Sequence, residues 1–261
     1  MADRFFDKYR KELNELNLKT REDLENLVKP LIKEATKIIV KASSEMPKDS
    51  HVKSHFGGQP YFEKGEKWPE TKDGNKLEFV FQIFNENNSV LPENIKLIQF
   101  YYDLNGDELP FDTVDDGWFV KIYEDLHKEN TEKIEIIEKP RDHHTVNYCE
   151  IEYEAIKSLP DWEGIEDYSQ NASMLSCVLD ENEPWRNYQE IVEELIGEQE
   201  LWSQLGGYPR WLQGNENPDD CIFLFQLDSE DNAGLMWGDC GLVYVFYDNE
   251  NKKLEFVLQC C

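Results

Sequence analysis

Apolar residues recur at helical spacing through the first part of the chain. Phe5, Tyr9, Leu13 and Leu16 follow one another at intervals of four, four and three, which places them on one helix face. Thr20 with Asp23 carries the signature of a capping box, and Leu24, Leu27, Val28 and Leu31 supply a second stripe. Pro30 lacks an amide hydrogen and crowds the preceding turn, so it kinks or restarts that helix. Lys37-Ile38-Ile39-Val40 predicts a first strand.

Beyond residue 50 the pattern turns to strands, and it repeats. Ser54-His55-Phe56-Gly57-Gly58-Gln59-Pro60 is answered by Ser203-Gln204-Leu205-Gly206-Gly207-Tyr208-Pro209. Phe79-Val80-Phe81-Gln82-Ile83 is answered by Phe223-Leu224-Phe225-Gln226-Leu227, and Gln99-Phe100-Tyr101-Tyr102-Asp103 by Val245-Phe246-Tyr247-Asp248. Three motifs in one order at nearly constant separation imply an internal duplication. Paired glycines before x-Pro suit a tight turn with positive φ, and the Phe-x-Phe-Gln run suits a well-buried strand. Asn105-Gly106 predicts a hairpin turn in the first copy.

Residues 117–123 and 131–138 read as further strands, and Val146, Tyr148, Ile151 and Tyr153 as another of irregular register. Residues 160–184 read as a long acidic loop holding Trp162 and Trp185. Tyr188, Ile191, Val192, Leu195 and Ile196 then form an amphipathic helix leading to the second Gly-Gly. No Gly/Ser-rich or Pro-rich linker divides the copies, which predicts one α+β body. Its parts are a helical lead (1–46), a first β unit (51–139), a connecting region (140–200) and a second β unit (201–261).

These motifs give the chain a resemblance to the YwqG-like family of uncharacterised bacterial proteins. It rests on residues 54–61, Phe81-Gln82-Ile83 and Leu97-Ile98-Gln99-Phe100-Tyr101, with Gly206-Gly207-Tyr208-Pro209, Gln226-Leu227-Asp228-Ser229 and Trp237-Gly238-Asp239-Cys240-Gly241. It covers residues 50–261. The resemblance implies an α+β fold and a cytoplasmic bacterial protein, with no activity to carry over. It also brings an association with immunity and antitoxin-like proteins.

Charge narrows the partners. Against 55 Asp and Glu stand 27 Lys and Arg, a formal net charge of −28. Such a field repels nucleic acid and anionic lipid and speeds encounter with cations. Neither an apolar signal core nor a bilayer-length apolar run occurs, so a cytoplasmic location is expected. The six cysteines include no Cys-x-x-Cys pair, and a core-rich chain of this size gains little from cross-links; reduced, mostly buried thiols are expected.

Each stretch with chemical potential has a plainer structural explanation. Gly57, Gly58, Gly206 and Gly207 present amides as an anion nest does, but no Lys-Ser/Thr follows them. Asp103-x-Asn105-x-Asp107 resembles a calcium loop, yet its sixth position is Glu108 and its twelfth Val114. Asp239 beside Cys240 raises rather than lowers a thiol pKa, so Asp239 is expected to cap a turn and Trp237 to pack between strands. His143 and His144 are adjacent and point to opposite faces of a strand. Gln82 and Gln226 complete the marked residues.

The expectation is therefore a non-catalytic, immunity- or antitoxin-like binding protein, without cofactor or metal, that sets an acidic surface against a basic protein and binds neither nucleic acid nor membrane. Trp162, Trp185 and Trp202 are its candidate anchors. The alternatives are a small-molecule binder, with a pocket between the copies lined by Tyr61, Trp211 and Trp237, and an enzyme of unrecognised mechanism.

Overall fold

The computed structural model describes residues 2–85, 90–107, 109–131 and 144–260. Two helices come first, α1 (Ala2–Glu15) and α2 (Arg21–Val28). Thr20 caps α2 as the sequence predicts: its hydroxyl oxygen accepts from the Asp23 amide at 3.1 Å, and the Asp23 carboxylate accepts from the Thr20 amide at 2.9 Å. At Pro30 the helical run tightens into a 3-10 turn, Lys29–Leu31, because proline cannot donate the next helical bond.

Ten strands then build one sheet in which every pairing is antiparallel. They are β1 (Lys33–Ala42), β2 (His55–Phe56), β3 (Glu78–Phe84), β4 (Leu97–Tyr102), β5 (Trp118–Tyr123), β6 (Cys149–Ser158), β7 (Gln204–Gly206), β8 (Ile222–Leu227), β9 (Leu242–Asp248) and β10 (Lys253–Gln259). With the helices this is an α+β fold.

The strand order, β10-β9-β8-β7-β1-β6-β2-β3-β4-β5, reads outward in the same way on both sides of the central β1–β6 pair. That pair runs from Lys33↔Ser158 to Ala42↔Cys149. On its far sides β1 bonds β7 and β6 bonds β2, so each half of the sheet includes a strand from the other half of the chain. The register matches as well. Phe56 lies opposite Phe81 and Leu205 opposite Phe225, and each inner hairpin is bulged at one place, between Phe79 and Phe81 and between Phe223 and Phe225.

The sheet curls into a near-barrel. The β4–β5 connection reaches β10 through an Asp112↔Val257 bridge, the Leu258 amide donates to the Phe111 carbonyl at 2.8 Å, and the Thr113 hydroxyl accepts from the Phe256 amide at 2.7 Å. Inside, Phe81 meets Phe225 edge-on at 5.0 Å between ring centroids, and Trp118 stacks on Phe256 at 5.0 Å. Buried rings from both halves thus share one core, with Trp237 also inside it.

The expected loop over residues 160–184 is largely helical. It contains α3 (Ile165–Tyr168) and α4 (Gln170–Leu179), and α5 (Pro184–Ile196) begins at its end. The Ser169 hydroxyl accepts from the Ala172 amide and caps α4, and Ala172, Met174, Leu175 and Ser176 bury beneath it. Small and polar residues on that stripe concealed the period. α4 and α5 pack on one another and on α2, and α1 packs on α4, around a second core centred on Leu24, Val28, Leu175, Tyr188 and Ile191.

Asn105-Gly106 does not close a tight hairpin. The β4–β5 connection spans residues 103–117, and the Asn105 side chain turns instead to residue 144: its Nδ2 donates to the His144 carbonyl at 3.1 Å and its Oδ1 accepts from the His144 backbone amide at 2.7 Å. Of the strand expected at 131–138, Thr131 bridges Glu63, and residues 132–143, with His143, lie outside the described residues. Among the described residues no helix is long and apolar enough to cross a membrane.

Candidate functional site

The marked glycines sit where neighbouring atoms come too close for a Cβ. A Cβ on Gly57 (φ +55°) would lie 2.4 Å from the Val146 carbonyl oxygen, and the Gly57 amide donates to the Val80 carbonyl at 2.8 Å. A Cβ on Gly207 (φ +75°) would lie 2.6 Å from the Ser158 Cβ. Gly58 and Gly206 are confined likewise, by Met46 and Val90.

Gln82 and Gln226 tie these turns to the sheet. The Gln82 side chain accepts from the Tyr61 amide at 2.7 Å and donates to the Lys53 carbonyl at 2.7 Å. Gln226 accepts from the Arg210 amide at 2.9 Å and donates to the Trp202 carbonyl at 2.8 Å. The Tyr61 carbonyl then accepts from the Gln99 side-chain Nε2, and the Arg210 carbonyl from the Tyr244 hydroxyl. Trp237 is buried and donates from its indole to the Asp228 carbonyl at 3.0 Å. Asp239 differs from expectation: it is exposed and caps nothing among the described residues, and the turn is closed by the Gly241 amide on the Trp237 carbonyl. Tyr61, Trp211 and Trp237 line no common pocket; they are buried in three separate clusters. Trp162 and Trp202 are half-buried, and of the three candidate anchors only Trp185 is exposed.

On the outer face of the first half a polar network forms around two half-buried carboxylates. Tyr61 and His127 bind Glu63, while Tyr123 (2.8 Å) and Lys121 (2.6 Å) bind Glu66. Burial pushes Glu63 up, but the hydroxyl and His127 outweigh it and hold the carboxyl below its usual range. Both carboxylates are committed to neighbours, so the network braces the Tyr61 turn. On the other half, burial lifts Asp161 to about 6 against the pull of the Trp211 and Gly164 amides, and lifts Glu230, which accepts from the Ser203 hydroxyl, to about 7. Among the described residues no group of three acidic, His or Cys side chains is placed to hold a metal ion.

A different surface was not singled out by sequence. Although β6 sits at the centre of the sheet, Glu150, Glu152 and Glu154 are all exposed. Lys41 pairs with Glu152 at 3.4 Å, whereas Glu150 and Glu154 make no ion pair among the described residues. Beside Glu150 opens a groove of about 340 Å³ lined by Val52, Lys53, Ser54, Phe84, Tyr148, Ile151 and Tyr153. The Tyr148 ring is 5.3 Å from His55, and burial followed by the nearby Glu150 raises its pKa. The readable signal was the alternation Cys149-Glu-Ile-Glu-Tyr-Glu, a strand with every second position a carboxylate.

A family model described as a domain of unknown function, DUF1963, matches residues 54–256. No curated protein matches the chain.

Proposed function

We propose, for a chain that belongs to this DUF1963 family, that it works by binding: the carboxylate face of β6 holds a basic partner protein. One observation carries the reading. A strand at the centre of a sheet is ordinarily covered, yet β6 presents three exposed glutamates, two of them without an ion pair among the described residues. A net charge of −28 adds long-range attraction for a cationic surface, and local carboxylates give it a place to land. Trp162, in the turn before α3, packs on the helical core and Trp185 lies on α5, so they are not the anchors of this face.

The same reading takes the two halves as divergent copies of one unit, supported by the matched bulges and the paired roles of Gln82 and Gln226. It keeps the YwqG-like resemblance and places the protein's work in a bacterial cytoplasm, as an immunity- or antitoxin-like holder of a basic protein. The test is capture from a bacterial lysate at low and high salt, followed by stopped-flow association with the recovered partner. Association slows about tenfold or more as salt screens the face, and a Glu150/Glu152/Glu154→Lys triple variant fails to bind. A partner whose association ignores both salt and the triple variant overturns the reading.

A further inference from the structure

Five described cysteines are free, and two of them lie at one turn. We infer that Cys240 and Cys260 are a modification site: peroxide joins them in a reversible disulfide that fastens the end of β10 to the turn before β9. The inference stands apart from the binding reading above.

The turn runs from Trp237 to Gly241, closed by the Gly241 amide on the Trp237 carbonyl at 2.8 Å. Cys240 stands in it, exposed, at φ +52°. Both glycines of the turn rest on Cys260. A Cβ on Gly238 (φ +60°) would lie 2.7 Å from the Cys260 sulfur, and one on Gly241 would lie 2.8 Å from the Cys260 Cβ. The Cys260 sulfur is thus against the start of the turn and its Cβ against the end, and Cys240 falls between those two points in the chain. The register agrees. Leu242 faces Gln259 in the last rung of the β9–β10 ladder, so Cys260 follows on one strand and Gly241, then Cys240, precede on the other. An offset of one residue from a facing pair corresponds to a Cα separation of about 6 Å, within the span of a disulfide. The Gln213 side chain donates to the Cys260 carbonyl and holds that backbone in place.

The other described thiols lie elsewhere. Cys149 is wholly buried in the β2–β6 seam, Cys177 is on α4, and Cys221 precedes β8 near Lys253 and Glu255, at the far end of β10. Cys240 is exposed and Cys260 half-buried, so Cys240 meets the oxidant first. Its thiolate attacks the peroxide, becomes a sulfenic acid and releases water. The Cys260 thiolate then attacks that sulfur, forms the S–S bond and expels a second water. Two thiols and one peroxide give one disulfide and two waters, with both electrons passing to the peroxide oxygens. β10 is the last strand in the sheet order, and residues 111–113 of the β4–β5 connection hold its outer side. The disulfide adds a covalent hold at the end of the strand that closes the near-barrel.

The test uses the full chain in a Cys261→Ser background, reduced and then exposed to hydrogen peroxide in native buffer and in concentrated urea. In buffer the titratable thiols are expected to fall from five to three. Non-reducing digestion then yields a linked pair of peptides carrying Cys240 and Cys260, and dithiothreitol restores both thiols. The bridge forms about tenfold faster or more in buffer than in urea, because the fold holds the pair together. The oxidised chain unfolds at a higher urea midpoint than the reduced one, since the bridge closes a loop in the unfolded state. Cys240→Ser, at an exposed position, leaves the reduced midpoint unchanged and removes both the bridge and the shift. Cys240 oxidised to the sulfinic acid while Cys260 stays a free thiol overturns the pairing. So does a bridge that forms no faster in the native chain than in urea, or a link between the Cys240 residues of two molecules.

Discussion

Gln82 and Gln226, both wholly buried, make the same two bonds from opposite halves of the sheet: each accepts from the amide that follows a Gly-Gly-x-Pro turn and donates to the carbonyl that precedes one. A buried amide side chain of this kind matters through what its loss leaves behind. Gln226→Leu strands the Arg210 N–H and the Trp202 C=O, Gln82→Leu strands the Tyr61 N–H and the Lys53 C=O and also takes a donor from the His51 C=O, and each variant loses about 2–4 kcal/mol of stability. Urea denaturation measures it. A loss below about 0.5 kcal/mol at either position shows that the turns do not depend on the glutamine.

The glycines separate conformational strain from collision. Gly65 (φ +87°) has open space where a Cβ would go, whereas at Gly207 a Cβ collides with Ser158 and with Ala35, at 2.6 and 2.8 Å. Gly65→Ala is therefore expected to cost about 1–2 kcal/mol, the left-handed penalty alone. Gly207→Ala adds overpacking and costs about 3 kcal/mol or more. Similar melting temperatures for the two variants contradict the close approach.

Buried His55 and half-buried Glu230 make stability depend on pH with opposite signs. Burial between Phe79 and Tyr148 lowers His55 to about 4, below its unfolded value of about 6.5. The unfolded chain then binds more protons, so His55's contribution is complete above pH 6.5 and is lost as pH falls towards 4, on the order of 3 kcal/mol in all. His55→Gln, which copies Gln204 at the matching register, flattens that acid limb. Glu230 runs the other way. Burial first, then Asp228 and Asp231, raise it to about 7 against the Ser203 bond. Its contribution is present below about pH 4.5 and lost as pH rises through 7, so Glu230→Gln gains on the wild type across that window. Urea titrations from pH 4 to 8 give both limbs, and identical profiles for the two variants refute the assignment.

Thiol reactivity ranks by access. The five described cysteines are free; Cys240 is exposed, Cys177, Cys221 and Cys260 are half-buried, and Cys149 is wholly buried with its pKa raised by burial and by Glu230. In a Cys261→Ser background a thiol reagent labels Cys240 first and leaves Cys149 untouched until the protein unfolds. Five thiols titrate in denaturant without reductant, and mass spectrometry identifies the order. Early labelling of Cys149 shows that the β2–β6 seam opens in the native state.

Much of the sheet was readable because strands buried on both faces, such as Phe79–Ile83, announce themselves by continuous apolar runs, and the Gly-Gly turns bracket them. The capping box at Thr20 is local chemistry and survived intact. What escaped depends on tertiary context. α4 has a mild stripe of small residues whose burial is decided by α1, α2 and α5. The groove escaped because Phe84, Tyr148 and Glu150 are distant in sequence and ordinary in type, and only pairing β6 with β2 sets them side by side. Most cysteines proved less buried than expected, since of the five described ones Cys177, Cys221 and Cys260 are half-buried and Cys240 is exposed.

The exchange of strands between the halves sets an order on biosynthesis. β1 is complete by residue 42, but its two neighbours begin only at Cys149 and Gln204. A nascent chain leaving the ribosome therefore carries β1 with both edges bare while β2 to β5 are already out. Closure of the centre must wait for long-range pairing, the slow step in folding sheets of this kind. Severed at residue 143, neither fragment owns a full set of neighbours for its inner strands, and the two are expected to find their native sheet only when mixed.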